Sequence, residues 1–289
     1  MLHASKSIKS CVSAAMLAIL GTFAATDAQA QDQQRIMVIQ SRLTKDGKAA
    51  DFRKFAETTW KKFAQAAVDE GVYQSAMVIR LTAPFAAGAP ADYAVVTFPT
   101  KRPSLAGPDP VVGERIAKRA GLPNLKAYVD AANASTSMVK TEWLTTEMSA
   151  GAPKAGNYIL SWRWKVPQDR QAGQVAFARE VSMPLRAQTI KDGKLVGTGF
   201  MTPVSAFGGE DGFNFMSYVV LNDADAFWTG PQPVTEERLK QVFANAMDFR
   251  TYMNRLQQIN AERKGELTRT WEVVAMVGKS PEIAPGKGS

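Results

Sequence analysis

Phe177–Phe200, FAREVSMPLRAQTIKDGKLVGTGF, decides how this chain is read, because Phe55–Val78, FAETTWKKFAQAAVDEGVYQSAMV, is a second copy of it. Phe55 answers to Phe177 and Gly71 to Gly193, each pair 122 residues apart (177 less 55, 193 less 71). In the first copy Phe52, Phe55, Ala56, Thr59, Phe63 and Ala66 share one helical face over Ala49–Glu70, and Gly71 stands where a helix C-cap glycine belongs. A constant offset over matched features predicts a duplicated fold unit.

Outward from the first copy, Arg35–Leu43 reads as a strand, followed by the Lys45-Asp46-Gly47 turn and the long helix. Strands Val72–Leu81 and Tyr93–Phe98 follow, joined by a loop at Thr82–Ala91. A helical region at Val111–Ala134 is interrupted by Gly121-Leu122-Pro123, and Ser137–Thr146 completes the unit as a strand. Beyond a Gly and Pro connector the order returns: strand Asn157–Lys165, helix Ala172–Asp192, strands Lys194–Thr202 and Phe213–Leu221, helix Thr235–Glu262, strand Glu266–Val277. Tyr93 and Phe215 keep the 122 offset. Trp143 and Trp271, read as equivalent, differ by 128, which places six extra residues beside the second helix of the second unit. Strand, helix, strand, strand, helix, strand is the split βαβ, ferredoxin-like pattern. The expected organisation is a leader over 1–30, a first repeat over 31–148, a connector over 149–156, a second repeat over 157–279 and a flexible tail over 280–289.

Residues 1–30 have the grammar of a secretory signal: Lys6 and Lys9, an apolar run from Val12 to Ala25, then Ala28-Gln29-Ala30. Cleavage after Ala30 predicts a periplasmic or secreted protein, and no later run is long enough for a membrane span. The chain's one cysteine, Cys11, and one histidine, His3, both lie in this leader. The processed chain therefore excludes disulfides, histidine or cysteine metal sites, histidine-ligated haem, a Ser-His-Asp triad and a cysteine nucleophile. No cofactor and no metal are expected. Of 35 Lys and Arg and 27 Asp and Glu, the leader holds two and one, leaving a net charge of +7 scattered through helices. This pattern does not point to nucleic acid.

One βαββαβ unit covers a single face of its sheet, so the second unit is the natural cover for the other. The second copy, with Glu180, Pro184, the IKDGKLVG run Ile190–Gly197 and Asn214-Phe215, resembles exported proteins of the dimeric α/β-barrel superfamily, which includes antibiotic-biosynthesis-type monooxygenases and the NIPSNAP group. The resemblance implies an α+β fold of two tandem ferredoxin-like units, their sheets facing each other as an intramolecular, pseudo-dimeric barrel that often encloses a ligand cavity. It also implies that cofactor-free oxygenase, isomerase or lyase chemistry is within reach of the fold. The first copy departs from the pattern, carrying Lys62 where the second has Pro184.

Pro184 is expected to kink its helix by removing the hydrogen bond to the Glu180 carbonyl, bringing Glu180 or Arg186 to a cavity mouth or merely curving the helix. In Ser161-Trp162-Arg163-Trp164-Lys165 the tryptophans share one strand face and Arg163 the other. If the tryptophans face the barrel they can stack on a flat ligand, or they can simply cover the core. In the reverse orientation Arg163 enters the barrel. Arg269 shares a face with Trp271 and is a candidate pocket cation. Asn214, Met216 and Tyr218 share a face of the third strand. The candidate ligand-binding set is Trp162, Trp164, Asn214, Tyr218 and Arg269, with Tyr218 and Glu180 as candidate catalytic groups. The glycine-rich Phe207–Gly212 run lacks P-loop and EF-hand spacing and reads as a hairpin loop.

Three functions stay open: a monomeric or homodimeric binding protein for a small, partly aromatic, anionic molecule between the sheets, a cofactor-free enzyme, or a protein-interaction module. A cavity with apolar walls favours the first, a convergent Glu, Tyr and Arg the second, and a filled barrel the third. Because the second copy alone has Pro184, the paired tryptophans and Tyr218, any pocket is expected to be lined mainly by residues after Gly156.

Overall fold

The computed structural model describes residues 36–82, 91–103, 109–204, 212–226, 234–244, 246–279 and 282. The leader with His3 and Cys11, nearly all of the loop after Thr82, most of the Phe207–Gly212 run and nearly all of the tail lie outside them. Strands β1 (Ile36–Thr44), β2 (Tyr73–Leu81), β3 (Tyr93–Pro99) and β4 (Thr136–Gly151) form the first unit, and β5 (Tyr158–Lys165), β6 (Gly197–Pro203), β7 (Phe215–Leu221) and β8 (Lys264–Gly278) the second. They close into one eight-stranded antiparallel barrel in the order β1-β3-β2-β8-β5-β7-β6-β4. Each unit is a βαββαβ sheet, and each long fourth strand crosses to pair with the other unit's second strand, β4 with β6 and β8 with β2. Closure leaves neither unit with an open sheet edge.

The fourth strands run longer than expected, β4 to Gly151 and β8 to Gly278, since their distal halves make the joints between units. At both joints the closing residue is a glycine in the left-handed region, Gly151 at φ 67° and Gly278 at φ 71°. A Cβ there would lie 2.1 Å from the Val196 carbonyl oxygen and 2.2 Å from that of Gln74. Only glycine permits both the angle and the approach.

Register corrects the tryptophan equivalence. Val38 pairs with Trp143, and Leu160, 122 residues after Val38, pairs with Thr270. The counterpart of Trp143 is thus Thr270, 127 residues on, and Trp271 answers to Leu144. The insertion is five residues rather than six, and one residue of slip exchanges the two faces of a strand. Leu144 and Trp271 both point into the barrel, where side chains from all eight strands form a common core.

Helices cover the outside. In the first unit α1 (Ala49–Phe55), a π turn (Ala56–Trp60) and α2 (Lys61–Asp69) make the first helical run, and α3 (Pro110–Arg119) and α4 (Leu125–Ser135) the second. In the second unit the matching elements are α5 (Gln171–Phe177), a π turn (Ala178–Ser182), α6 (Met183–Lys191), α7 (Glu236–Phe243) and α8 (Phe249–Glu262). The two π turns keep the 122 offset, although the first copy has no proline. Pro184 is therefore not the cause of the irregularity; it sits in the first turn of α6, where its missing N–H is tolerated. The second helical region is two helices, not one over Thr235–Glu262, broken at Ala244 with φ 51°. Gly71 and Gly193 take φ 69° and 71°, closing their helices as the sequence requires. Among the described residues no helix is long and apolar enough to cross a membrane.

Candidate functional site

The barrel interior is a core. The space left within it is about 30 Å³, bounded by Met37, Met77, Met201, Met216, Ser161, Tyr218 and Trp271 among others from both units. It holds a water or two and no flat aromatic molecule. Both units wall this space equally, so the barrel interior is not a pocket lined mainly by residues after Gly156. At one level Arg163, pointing inward, donates from Nη1 to Glu142 Oε1 at 2.8 Å, with both side chains buried and Lys140 Nζ 3.6 Å away. Trp271 Nε1 donates to Ser161 Oγ at 3.1 Å, which in turn donates to the Arg269 carbonyl at 3.3 Å. The Arg269 guanidinium lies 5.9 Å from the Trp271 ring centre.

The other sequence candidates are dispersed. Trp162 and Trp164 face out of the barrel, beneath the second unit's helices, packed with Phe200, Phe215 and Met183. Asn214 bridges both backbone groups of Val166, accepting from its N–H at 2.8 Å and donating to its carbonyl at 2.7 Å, a structural clasp. Glu180 lies exposed, accepting from Arg255 Nη2 at 2.7 Å. Tyr218 enters the barrel, on the other side of the sheet from Glu180, so the candidate acid–base pair never meets. Burial pushes the Tyr218 phenol well above its ordinary pKa.

The two units differ most between helices and sheet. In the first, this layer is apolar: Ala64 on α2 faces Ala76 and Val78 of β2 and Val95 of β3, and Trp60 at the end of the π turn fills the space. At 122 residues' distance stand Arg186, Thr198, Phe200, Ser217 and Ser182. Arg186 of α6 drops onto the sheet and donates from Nη1 to Thr198 Oγ1 at 2.9 Å, Ser217 Oγ at 2.8 Å and the Tyr218 carbonyl at 3.4 Å. Its guanidinium carbon lies 4.6 Å from the Phe200 ring centre and 6.0 Å from that of Trp162. Among the described residues it meets no carboxylate. Burial, with repulsion from Arg263, holds its pKa down at about 10.

Arg263, between α8 and β8, is also set against an aromatic ring, although Glu266 and Glu262 are near enough to favour its charge. It rests 4.2 Å from the Trp164 ring centre and donates to the Gln174 and Asn260 side-chain oxygens, each at 3.0 Å, and burial also holds its pKa at about 10. Trp164 Nε1 and Arg179 Nε, on the adjoining π turn, are buried without acceptors among the described residues. Between α6 and the sheet, donors and positive charge exceed acceptors among the described residues, set among aromatic faces. Such an arrangement is complementary to an anion carried on a flat body. The signal was present in the sequence as coordinated differences between copies, Ala64 to Arg186, Ala76 to Thr198 and Val95 to Ser217, but it emerges only when a helix and two strands are superposed.

No family model matches the chain, and no curated protein matches it by sequence. Solved structures do match. A candidate monooxygenase from Lactobacillus acidophilus superposes with a TM-score of 0.53 at 10% identity, covering 86% of this chain and 98% of that one. A candidate monooxygenase from Fusobacterium nucleatum gives 0.53 at 7% identity, covering 87% and 98%. At such identities the likeness is one of fold. With two βαββαβ units closing a single eight-stranded barrel, the chain has the ferredoxin-like, dimeric α/β-barrel fold within one polypeptide.

Proposed function

We propose that this protein binds a small anionic molecule with a flat, unsaturated body, between α6 and the outer face of the second unit's sheet. The observation that carries the reading is Arg186, a guanidinium taken out of bulk water with no carboxylate on it among the described residues, framed by Phe200 and Trp162 and held to the sheet by one nitrogen. An uncompensated cation in such a place is expensive in the ligand-free protein. An entering carboxylate or phosphate would relieve that cost while its body stacks on the aromatic rings. The location differs from the space between the sheets because the barrel has no room for such a molecule.

Binding rather than catalysis is the better supported activity. The neighbours' assignment as candidate monooxygenases would make the ligand a substrate, yet Glu180, Tyr218 and Arg186 occupy an outer surface, the barrel interior and the helix–sheet layer, with no common reacting position. A filled barrel by itself fits an interaction module, and the Arg186 layer is what favours a ligand. The leader over 1–30 supports work in the periplasm or outside the cell, and protein recovered there should begin at Gln31.

Calorimetric titration with benzoate, 4-hydroxybenzoate and phenyl phosphate, each against its neutral amide or alcohol counterpart, tests the reading. At least one anion should bind saturably, its neutral counterpart should not, and Arg186→Met should abolish the heat. Equal binding of neutral and anionic partners, binding that survives Arg186→Met, or no binding by any of the anions would overturn it.

A further inference from the structure

Tyr218 projects from the middle of β7 into the barrel and is 9% exposed. Its placement is built: it pairs with Gly199 of β6, and a Cβ on Gly199 would lie 2.5 Å from the ring and 2.9 Å from Oη. A mid-strand glycine that leaves room for a neighbouring ring weakens its own strand, so the position of the phenol is maintained at a cost.

Tyr218 lines the small space left inside the barrel, and among the described residues no hydrogen bond from its hydroxyl is seen. The other polar groups on the same wall are paired, Trp271 Nε1 with Ser161 Oγ and Ser161 Oγ with the Arg269 carbonyl. A phenol O–H that faces an apolar enclosure gains from an acceptor placed there. The enclosure is the space of about 30 Å³ walled by the thioethers of Met37, Met77, Met201 and Met216. Unbranched methionines change rotamer without leaving a wall, so this space can enlarge to fit an occupant. A phenol is protonated at neutral pH, and burial raises its pKa further, so it is a donor there.

A single donor, soft apolar walls and an adjustable small volume define the complement: a neutral molecule of a few heavy atoms with one strong acceptor. We infer that the barrel interior is a second binding site, separate from the Arg186 layer, for a small ketone or aldehyde whose carbonyl oxygen accepts from the Tyr218 hydroxyl. An anion is disfavoured there, since the inward cation Arg163 is already paired with Glu142. The two sites lie on opposite faces of one sheet, and Tyr218 touches both, its ring in the barrel and its carbonyl on Arg186.

The test is a titration followed through methyl-¹³C methionine resonances, with acetone as the probe and isobutene as its counterpart of like shape without an acceptor. Acetone should shift Met37, Met77, Met201 and Met216 saturably while leaving Met183 and Met253 in place. Tyr218→Phe, shown by urea denaturation to be folded, should weaken acetone about tenfold and leave isobutene unchanged. Gly199→Ala, which displaces the phenol without deleting it, should give the same selective loss. Unsaturable shifts, acetone binding indifferent to Tyr218→Phe, equal loss of both probes, or a bound water on the hydroxyl that acetone fails to displace would each overturn the inference.

Discussion

Replacing Arg186 with methionine should make the ligand-free protein more stable, although the substitution removes three hydrogen bonds. Holding this guanidinium's pKa at about 10 instead of 12.5 corresponds to about 3 kcal/mol against the charged form, which residual solvent access trims to about 2. Against this stand the contacts of Nη1. The Tyr218 carbonyl keeps its bond from Thr198 Oγ1 at 2.7 Å, so the group left without a partner is Ser217 Oγ, worth about 1 kcal/mol. Methionine also supplies apolar atoms beside Phe200 and Trp162. The balance is a gain of about 1 kcal/mol, or roughly 2–4 °C in Tm for a chain of this size. Urea denaturation at pH 7 of protein stripped of small molecules measures it. A variant destabilised by about 1 kcal/mol or more would show that Arg186 is compensated in the ligand-free state, and the electrostatic argument for an anion would fall with it.

Glu142→Gln should lower stability by about 3–5 kcal/mol by removing the carboxylate that faces Arg163 inside the barrel, whereas Glu142→Gln with Arg163→Met should recover most of the loss in the same urea assay. Gly151→Ala should cost at least about 2 kcal/mol, from a strained φ and from the approach to Val196, and should loosen the β4–β6 joint, seen as faster amide exchange at Phe200 and Met201 than at β1. Burial raises the pKa of Tyr73, Tyr93, Tyr128, Tyr218 and Tyr252. The native state therefore keeps protons that the unfolded chain releases above about pH 10, and this stabilisation is lost as pH rises from there. Arg42, Arg186 and Arg263, whose pKa burial lowers, act oppositely, but five phenols outweigh three guanidiniums, so the urea midpoint should fall between pH 10 and 11; a flat or rising midpoint would contradict the burial.

The fold was legible because duplication gave the sequence an internal ruler. Phe55 with Phe177 and Gly71 with Gly193 fixed the offset, and the order of elements followed. The ruler failed where the copies differ in length: anchoring on Trp143 and Trp271 introduced a one-residue slip, and in a strand one residue exchanges inside for outside. Orientation was illegible for a related reason. Trp162 and Trp164 alternate with Arg163, and alternation alone does not say which face meets helices, because both faces of a barrel strand are buried. Only the pairing of Glu142 with Arg163, 21 residues apart in sequence and on different units, shows that arginine turns inward. Pro184 was read as bending its helix, but the π turn occurs in both copies, one of which has no proline, and the two helices differ again at Arg186 two residues later.

The most direct test of the central claim is a crystal of the protein soaked in 4-iodobenzoate, with the iodine located by its anomalous signal. The account predicts one strong iodine peak between α6 and the second unit's sheet, with the carboxylate within hydrogen-bonding distance of Arg186 and the ring against Trp162 or Phe200. An iodine peak inside the barrel, or well-ordered molecules elsewhere with the Arg186 layer unoccupied, would contradict it.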